Sequence, residues 1–457
     1  MATDTRAAAP ALETTFEPDW GIEPVPPEAR RLSGFDLAVL WGDLGIGLLV
    51  LVTGALLVPA LGFGTALAII VAGSLIGCGL LGLAGEAGAR LGVPTMVLFR
   101  SILGLRGSWV PSVVNVAQLV GWTAVELWAI SFVADIVAVE AFSFSARWLW
   151  LGLAAFFCAA LALWGPVGVT RVWMERFGAW VIVGISAVVT VLALSQDGVR
   201  AALAAPGAGG WPTTGAALDL VIAMPVSWLP LVADYNRFAR SRRGAFGGTF
   251  LGYLIANVWL YALGALLILT AGAEPSPAGI ATGILAIAGG TIAGVLFLVG
   301  LLVGETDEAF ADIYSGAMSL KNVFPGVRRE VFVVAITLIA AGLAGWLTME
   351  RYESFLFLIG SVFVPLFGVF IAHYHLRRDA SGTSAAPTAF GAWAAGFVVY
   401  HWIAPTGPGW WLELIDSFPG EPASVSSPWL SASLPAFAVA ALLYLLGAHV
   451  SSRPKER

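Results

Sequence analysis

The sequence predicts an all-α polytopic membrane protein. An apolar composition, recurrent apolar runs of membrane-spanning length and a one-sided distribution of basic residues carry that reading. Of 457 residues, 58% are hydrophobic and only 11% charged, with a mean hydropathy of +0.87; in a soluble domain about a quarter of residues are charged. A helix needs about 20 apolar residues to cross the roughly 30 Å hydrocarbon layer, and the chain supplies about twelve such runs. They lie at 34–60, 64–89, 109–137, 147–165, 177–196, 215–235, 248–271, 288–320, 330–348, 353–376, 388–404 and 432–450. With the N-terminus inside, every one of the 23 Lys and Arg except Arg147, Arg200 and Arg351 falls on the cytoplasmic side, as the positive-inside rule requires. An odd number of spans would scramble that split, so both termini are expected in the cytoplasm and the protein in a plasma membrane, the inner membrane of a bacterium. The net charge of -6 says little where most charges sit in loops.

Taken in order, residues 1–33 carry no apolar core of signal-peptide length and read as a retained, flexible cytoplasmic tail. The first span contains "WGDLGIG" (41–47), three glycines around an acid. The second contains "GCGLLGLAGEAGARLG" (77–92), where small residues three or four apart let helices approach closely in lipid, and Glu86 and Arg90 are spaced to pair at its inner end. The sixth contains "AMPVSWLP" (223–230), with two prolines five apart. A glycine-rich packing face and a proline kink would explain each alone. Their separation by five spans fits a transporter of two inverted five-helix repeats, in which the first helix of each repeat unwinds at the midplane and offers carbonyls and helix ends to substrate and ion. The polar insert "DASGTSAAPT" (379–388) then divides a ten-helix core, 34–378 with repeats at about 34–196 and 215–378, from a linker and two further helices in 379–457.

Ionisable groups at membrane depth cost about 2.5–3.5 kcal/mol each on insertion scales and mark pathways or sites. Asp43 lies about ten residues into the first span. Glu126 lies mid-way along the third, four residues after Trp122 and so on the same helical face. A flat aromatic beside a hydrogen-bonding carboxylate suits a planar, polar heterocycle. The eighth segment, "GVLFLVGLLVGETDEAFADIYSGAMSL" (294–320), holds Glu305, Asp307, Glu308 and Asp312. If its helix began at Gly279, "GETDEAF" would be a cytoplasmic loop. The apolar run 309–320 still needs a lipid or protein environment, and the Gly289-Gly290 pair offers a break upstream, so the intramembrane reading is favoured. At 100 degrees per residue Glu305, Glu308 and Asp312 share a face while Asp307 points elsewhere, and one helix addresses two neighbouring sites.

Other functions fit less well. Cys78 and Cys158 sit within apolar spans as small buried hydrophobes, with no disulfide framework, and the four histidines show no metal-ligand spacing. No nucleophile constellation or soluble substrate domain marks an enzyme. A channel would not need the paired breaks. An amino-acid carrier of the same architecture would bring a carboxylate against Asp43, Glu126 and Asp312. No resident cofactor, nucleic acid or protein partner is expected; the partners are a small heterocycle and membrane lipid.

"GVPTMVLFRSILGLRGSWVPSVVNVAQLVGW", "SWLPLVADYNRFARS" (227–241) and "DIYSGAMSL" (312–320) resemble the nucleobase-cation symporter family of cytosine, allantoin and benzyl-hydantoin permeases, across essentially all of the chain after the tail. Within the family the likeness is greatest to the hydroxymethylpyrimidine branch. The resemblance implies a LeuT-type fold of ten core helices plus two, alternating access, and cation-driven uptake of a heterocycle. Its third-helix tryptophan and the amide one turn later fall on Trp122 and Glu126. Its eighth-helix asparagine falls on Asp312, and its cation-binding hydroxyl falls on Asp307 with Thr306 before it; carbonyls near Leu44, Gly47 and Val303 complete the cation site. The sixth-helix stacking aromatic falls near Pro225, with Trp228 displaced. Where hydantoin permeases carry amides this chain has carboxylates, which only accept hydrogen bonds, so a donor-rich aminopyrimidine such as hydroxymethylpyrimidine or cytosine, or a purine, fits better than uracil or hydantoin. Oxygen ligands favour sodium as the coupling ion, whereas clustered buried carboxylates can also carry protons.

Overall fold

The computed structural model describes residues 20–165, 179–289, 292–377, 386–418 and 420–451. Residues 1–19 of the expected tail, Arg171, Arg176 and Arg378, most of the polar insert at 379–388, and Arg453, Lys455 and Arg457 lie outside the described residues. Each apolar run is helical over most of its described residues. The first gives α1 (Gly34–Asp43) and α2 (Leu48–Leu56); α3 (Phe63–Leu91), α4 (Trp109–Phe142), α5 (Arg147–Trp164) and α6 (Ala179–Leu194) follow. The sixth run gives α7 (Thr214–Ser227) and α8 (Val232–Asn236), and the seventh α9 (Arg242–Ala271). After a short α10 (Pro277–Ile287) come α11 (Ile292–Val323), α12 (Arg329–Ala344), α13 (Met349–Ile371), α14 (Ala386–Ile403) and α15 (Ser433–Ser451). Among the described residues six helices are long and apolar enough to cross a membrane, or up to seven if the bent α1–α2 pair is one span. Large apolar side chains cover the outside: Trp148, Phe156, Ile292, Leu338 and Val450 are each at least 68% exposed. So many large apolar side chains on the outside suit lipid rather than water.

Both expected breaks are present. The axes of α1 and α2 differ by 62°. The helical ladder ends with Leu44 N–H donating to Leu40 O and Ile46 N–H to Asp43 O, after which Gly47 turns extended at φ -129° and ψ 163°. In the sixth run Pro225 is absorbed within α7, but Pro230 lacks a donor and disfavours helical geometry in the residue before it, and the helix stops at Ser227 and resumes at Val232. Because α11 continues unbroken from 292 to 323, the loop alternative for "GETDEAF" is overturned and all four acids lie within one helix.

α4 lies along α11, α1 against α9, and α3 between α7 and α9. Small residues permit this: a methyl at Gly252 or Gly264 would run into the backbones of Ala38 and Leu51. Glu86 pairs with Arg242 of α9 rather than with Arg90, because Arg90 turns to the Tyr374 carbonyl at 3.5 Å and lies over the Tyr374 ring.

Residues 20–33, expected to belong to the flexible tail, are docked. Val25 and Leu32 are buried. Val25 N–H donates to Gly92 O at 2.9 Å, Leu32 N–H to Phe238 O at 2.9 Å, and Arg240 N–H to Leu32 O at 2.8 Å. Arg30 Nη1 donates to Ala89 O at 2.7 Å. Two apolar anchors and a stretch of backbone pairing hold a segment whose polar composition alone gave no sign of it.

Candidate functional site

Three helices meet at a small cavity lined by Trp122, Glu126, Met224, Ser227, Trp228, Glu308 and Asp312. α4 brings Trp122 and Glu126 together by their four-residue spacing. α7 ends in Met224, Ser227 and Trp228, spaced to share a face, and α11 adds Glu308 and Asp312. The two indoles are braced from behind: Trp228 meets Trp41 edge-on at 5.9 Å between centroids, and Trp122 meets Phe355 at 5.5 Å and Tyr352 at 6.1 Å. Glu126 and Asp312 line the same small space, and Oε2 of Glu126 is buried with no hydrogen-bond partner among the described residues. The walls leave free room of about one water, so a ring enters only when the helices part.

Of the residues singled out for substrate, Trp122, Glu126, Trp228 and Asp312 are brought together. Pro225 is not in the cavity wall; its ring lies against Gly77 of α3, and Met224 takes the place facing the cavity. Asp43 is also elsewhere, at the edge of an apolar groove between α1, α6 and α9, with both carboxyl oxygens buried and without a hydrogen-bond partner among the described residues. Gln118, Ser227 and Met224 were not singled out. Gln118 Nε2 donates to Ser227 O at 2.8 Å and so ties α4 to the end of α7; its position four residues before Trp122 was the available signal.

Beside the cavity, α11 runs past the first-helix break. A methyl on Gly304 would lie 3.3 Å from the Ile46 carbonyl oxygen, and one on Gly47 would meet the carboxylates of Glu308 and Glu305, so α11 lies against the unwound stretch that includes Gly47. Thr306 Oγ1 donates to Val303 O at 2.6 Å, which leaves the hydroxyl's lone pairs free to accept or ligate. Glu305 accepts the Leu48 N–H, so this carboxylate caps the start of α2 from another helix. Among the described residues no group of three His, Cys, Asp or Glu side chains has the arrangement of a metal site.

The "ADYNR" motif (233–237) works behind the cavity. Asp234 Oδ1 accepts Thr95 N–H at 2.9 Å and Ala233 N–H donates to Thr95 Oγ1 at 2.9 Å. Tyr235 OH donates to Ala311 O at 3.0 Å, one residue before Asp312. Asn236 accepts from Trp41 Nε1 at 2.9 Å and donates to Thr249 at 2.8 Å. Arg237 donates to Gly21 O at 2.6 Å and Tyr314 OH at 3.0 Å. The motif thus positions Trp41, which braces Trp228, and the turn of α11 that carries Asp312.

A helical membrane protein with two broken helices flanking a buried cavity of indoles and carboxyls is a transporter, not an enzyme. Residues 24–407 match the family described as "Permease for cytosine/purines, uracil, thiamine, allantoin", and the chain belongs to that family, whose substrates are nucleobase-like. It is 25% identical over 389 residues to the allantoin permease of Bacillus subtilis (strain 168), covering 78% of each chain. It is 25% identical over 321 residues to the cytosine permease of Escherichia coli (strain K12), covering 66% of this chain and 70% of the relative. To the hydantoin permease of Microbacterium maritypicum it is 24% identical over 371 residues, covering 76% and 74%. Its fold matches a nucleobase-cation-symport-1 family transporter in a closed conformation with bromovinylhydantoin bound, at a TM-score of 0.78 and 18% identity over 95% of this chain and 96% of that one. It also matches a sodium-coupled sialic acid symporter at 0.65 and 11%, over 95% and 91%. The LeuT-type architecture follows from these likenesses and from the broken helices.

Proposed function

We propose that this permease is a cation-coupled symporter that imports a planar, donor-rich nitrogen heterocycle, an aminopyrimidine such as cytosine or hydroxymethylpyrimidine or a purine with the same amino edge. The observation that carries this reading is the juxtaposition of Glu126 and Asp312 with Trp122 and Trp228 around one cavity. The indoles offer faces to a ring, and the carboxylates accept from the two N–H bonds of its exocyclic amino group. Relatives named for cytosine and for allantoin keep both amino and dicarbonyl rings in view; the acids favour the amino ring, because carbonyl oxygens would face carboxylates. Sodium is the first coupling ion to test, at Thr306, Asp307 and the carbonyls of Leu44, Gly47 and Val303, since hard oxygen donors suit it. A proton is the second, since Asp43 and Asp307 are both buried and clustered buried carboxyl groups can carry one.

A thermal-shift screen of purified protein against cytosine, adenine, hydroxymethylpyrimidine, uracil and allantoin, with and without sodium, tests the reading. Aminopyrimidines are expected to stabilise the wild type and to lose roughly tenfold or more in affinity in Glu126→Gln or Asp312→Asn. Preference for uracil or allantoin over every amino ring would overturn it, as would intact shifts in both variants. In proteoliposomes, uptake driven by a pH gradient without sodium would transfer the coupling to protons.

A further inference from the structure

Glu308 has no part in the reading above, yet the structure places it in the same cavity. It lies one turn before Asp312 on α11, is 3% exposed, and lines the space between Trp122, Trp228, Glu126 and Asp312. From behind it is held against the first-helix break, where a methyl on Gly47 would collide with its carboxylate. Its Oε1, the oxygen that such a methyl would meet, is buried with no hydrogen-bond partner among the described residues, and so is Oε2 of Glu126. Of the other acids nearby, Glu305 accepts the Leu48 N–H through one oxygen and leaves the other unmet, and neither oxygen of Asp43 has a hydrogen-bond partner among the described residues. Among the described residues no Lys, Arg or His lines the cavity.

Two carboxylates suffice to meet the amino edge of a neutral ring. A third, buried and uncompensated, adds negative charge in a medium where an unpaired ion is costly, and hydrogen-bond donors on a neutral ligand do not offset it. A ligand with positive charge does, and the two indoles that flank it attract cations to their faces. We infer that Glu308 completes a three-carboxylate cage that selects a positively charged aminoheterocycle, with the charged ring between Trp122 and Trp228 and its cationic side toward Glu308. The inference rests on the proposal that a heterocycle occupies this cavity, and it names the charge state that the proposal leaves open.

The experiment uses the full-length protein in detergent and a matched pair of ligands in calorimetric titration at alkaline pH. One is 4-amino-1-methylpyrimidinium, whose charge is fixed; the other is 2-amino-5-methylpyridine, its isostere, uncharged under those conditions. The wild type is expected to bind the cation at least about tenfold more tightly than the neutral ring. Glu308→Gln, nearly identical in shape, is expected to erase that preference by weakening the cation more than the neutral ring, and Glu308→Asp to retain it. Equal affinity of the wild type for the two rings overturns the cage, and needs no variant to do so; a preference unchanged in Glu308→Gln does likewise. Binding of neither ring, nor of any compound in the screen above, overturns the heterocycle reading as well, so the two failures are distinguishable.

Discussion

Glu305 is a fully buried acid whose carboxylate accepts the first N–H of α2. The N-terminus of a helix leaves donors without intrahelical partners and carries partial positive charge, and the break at Gly47 removes the preceding turn that could have supplied a capping side chain. Glu305→Ala would leave that N–H buried and unmet, at a cost of about 1–2 kcal/mol. The melting temperature of the solubilised protein is expected to fall by about 2–4 °C, and Glu305→Gln, whose amide oxygen still accepts, to recover most of it. Equal losses in both variants would show that the charge matters and the cap does not. In sequence, Glu305 is one of four acids on an apolar helix. Helical periodicity groups it with Glu308 and Asp312, but only the fold reveals that it meets a helix terminus 257 residues away.

Asp219 helps fasten the appended helices to the transport core at a point that the sequence leaves unmarked. Asp219 of α7 accepts from Ser431 Oγ at 2.6 Å, Ala432 N–H at 2.8 Å and Ser433 N–H at 3.0 Å, and so caps the start of α15. Asp219→Ala removes the acceptor for two backbone donors and a hydroxyl at once, and is expected to cost about 1–3 kcal/mol. Amide exchange in residues 423–433 should quicken while exchange in α4 and α11 stays as in wild type. Unchanged exchange in 423–433 would mean that packing of α15 on α13 and α14 fixes its start without the cap. What the sequence made legible at this scale were features with a local period or a local breaker: Trp122 with Glu126, the glycines before α2, Pro230 after α7. Asp219, Gln118 and Glu305 act on distant backbone groups, and no local pattern betrays a tertiary partner. Pro225 shows the complementary failure, since a motif alignment placed it at a stacking position while the turn of α7 aims it at Gly77.

At the scale of the molecule, alternating access requires that the two ends of the central cavity open in turn, and the segment 20–33 lies across the end expected to face the cytoplasm. Leu32 pairs in parallel with Ala239, just after α8, while Arg30 holds the end of α3 and Arg237 holds Gly21 and Tyr314 of α11. The strap thus joins the entry to the broken first helix, the end of the broken sixth and the helix of the acids, so opening that side must part it from at least one of them. Paired residues on neighbouring extended segments lie about 4.8 Å apart, inside the range of roughly 4.4–6.8 Å between Cα atoms that a disulfide spans. The double variant Leu32→Cys with Ala239→Cys is therefore expected to cross-link on oxidation, and Cys78 and Cys158, both buried, should not compete. In proteoliposomes the oxidised double variant should bind substrate yet fail to release it inside, with uptake at least about tenfold below wild type and restored by reduction. Full uptake by a completely cross-linked population would show that the strap travels with the sixth helix as one body, and that the cavity opens along another seam.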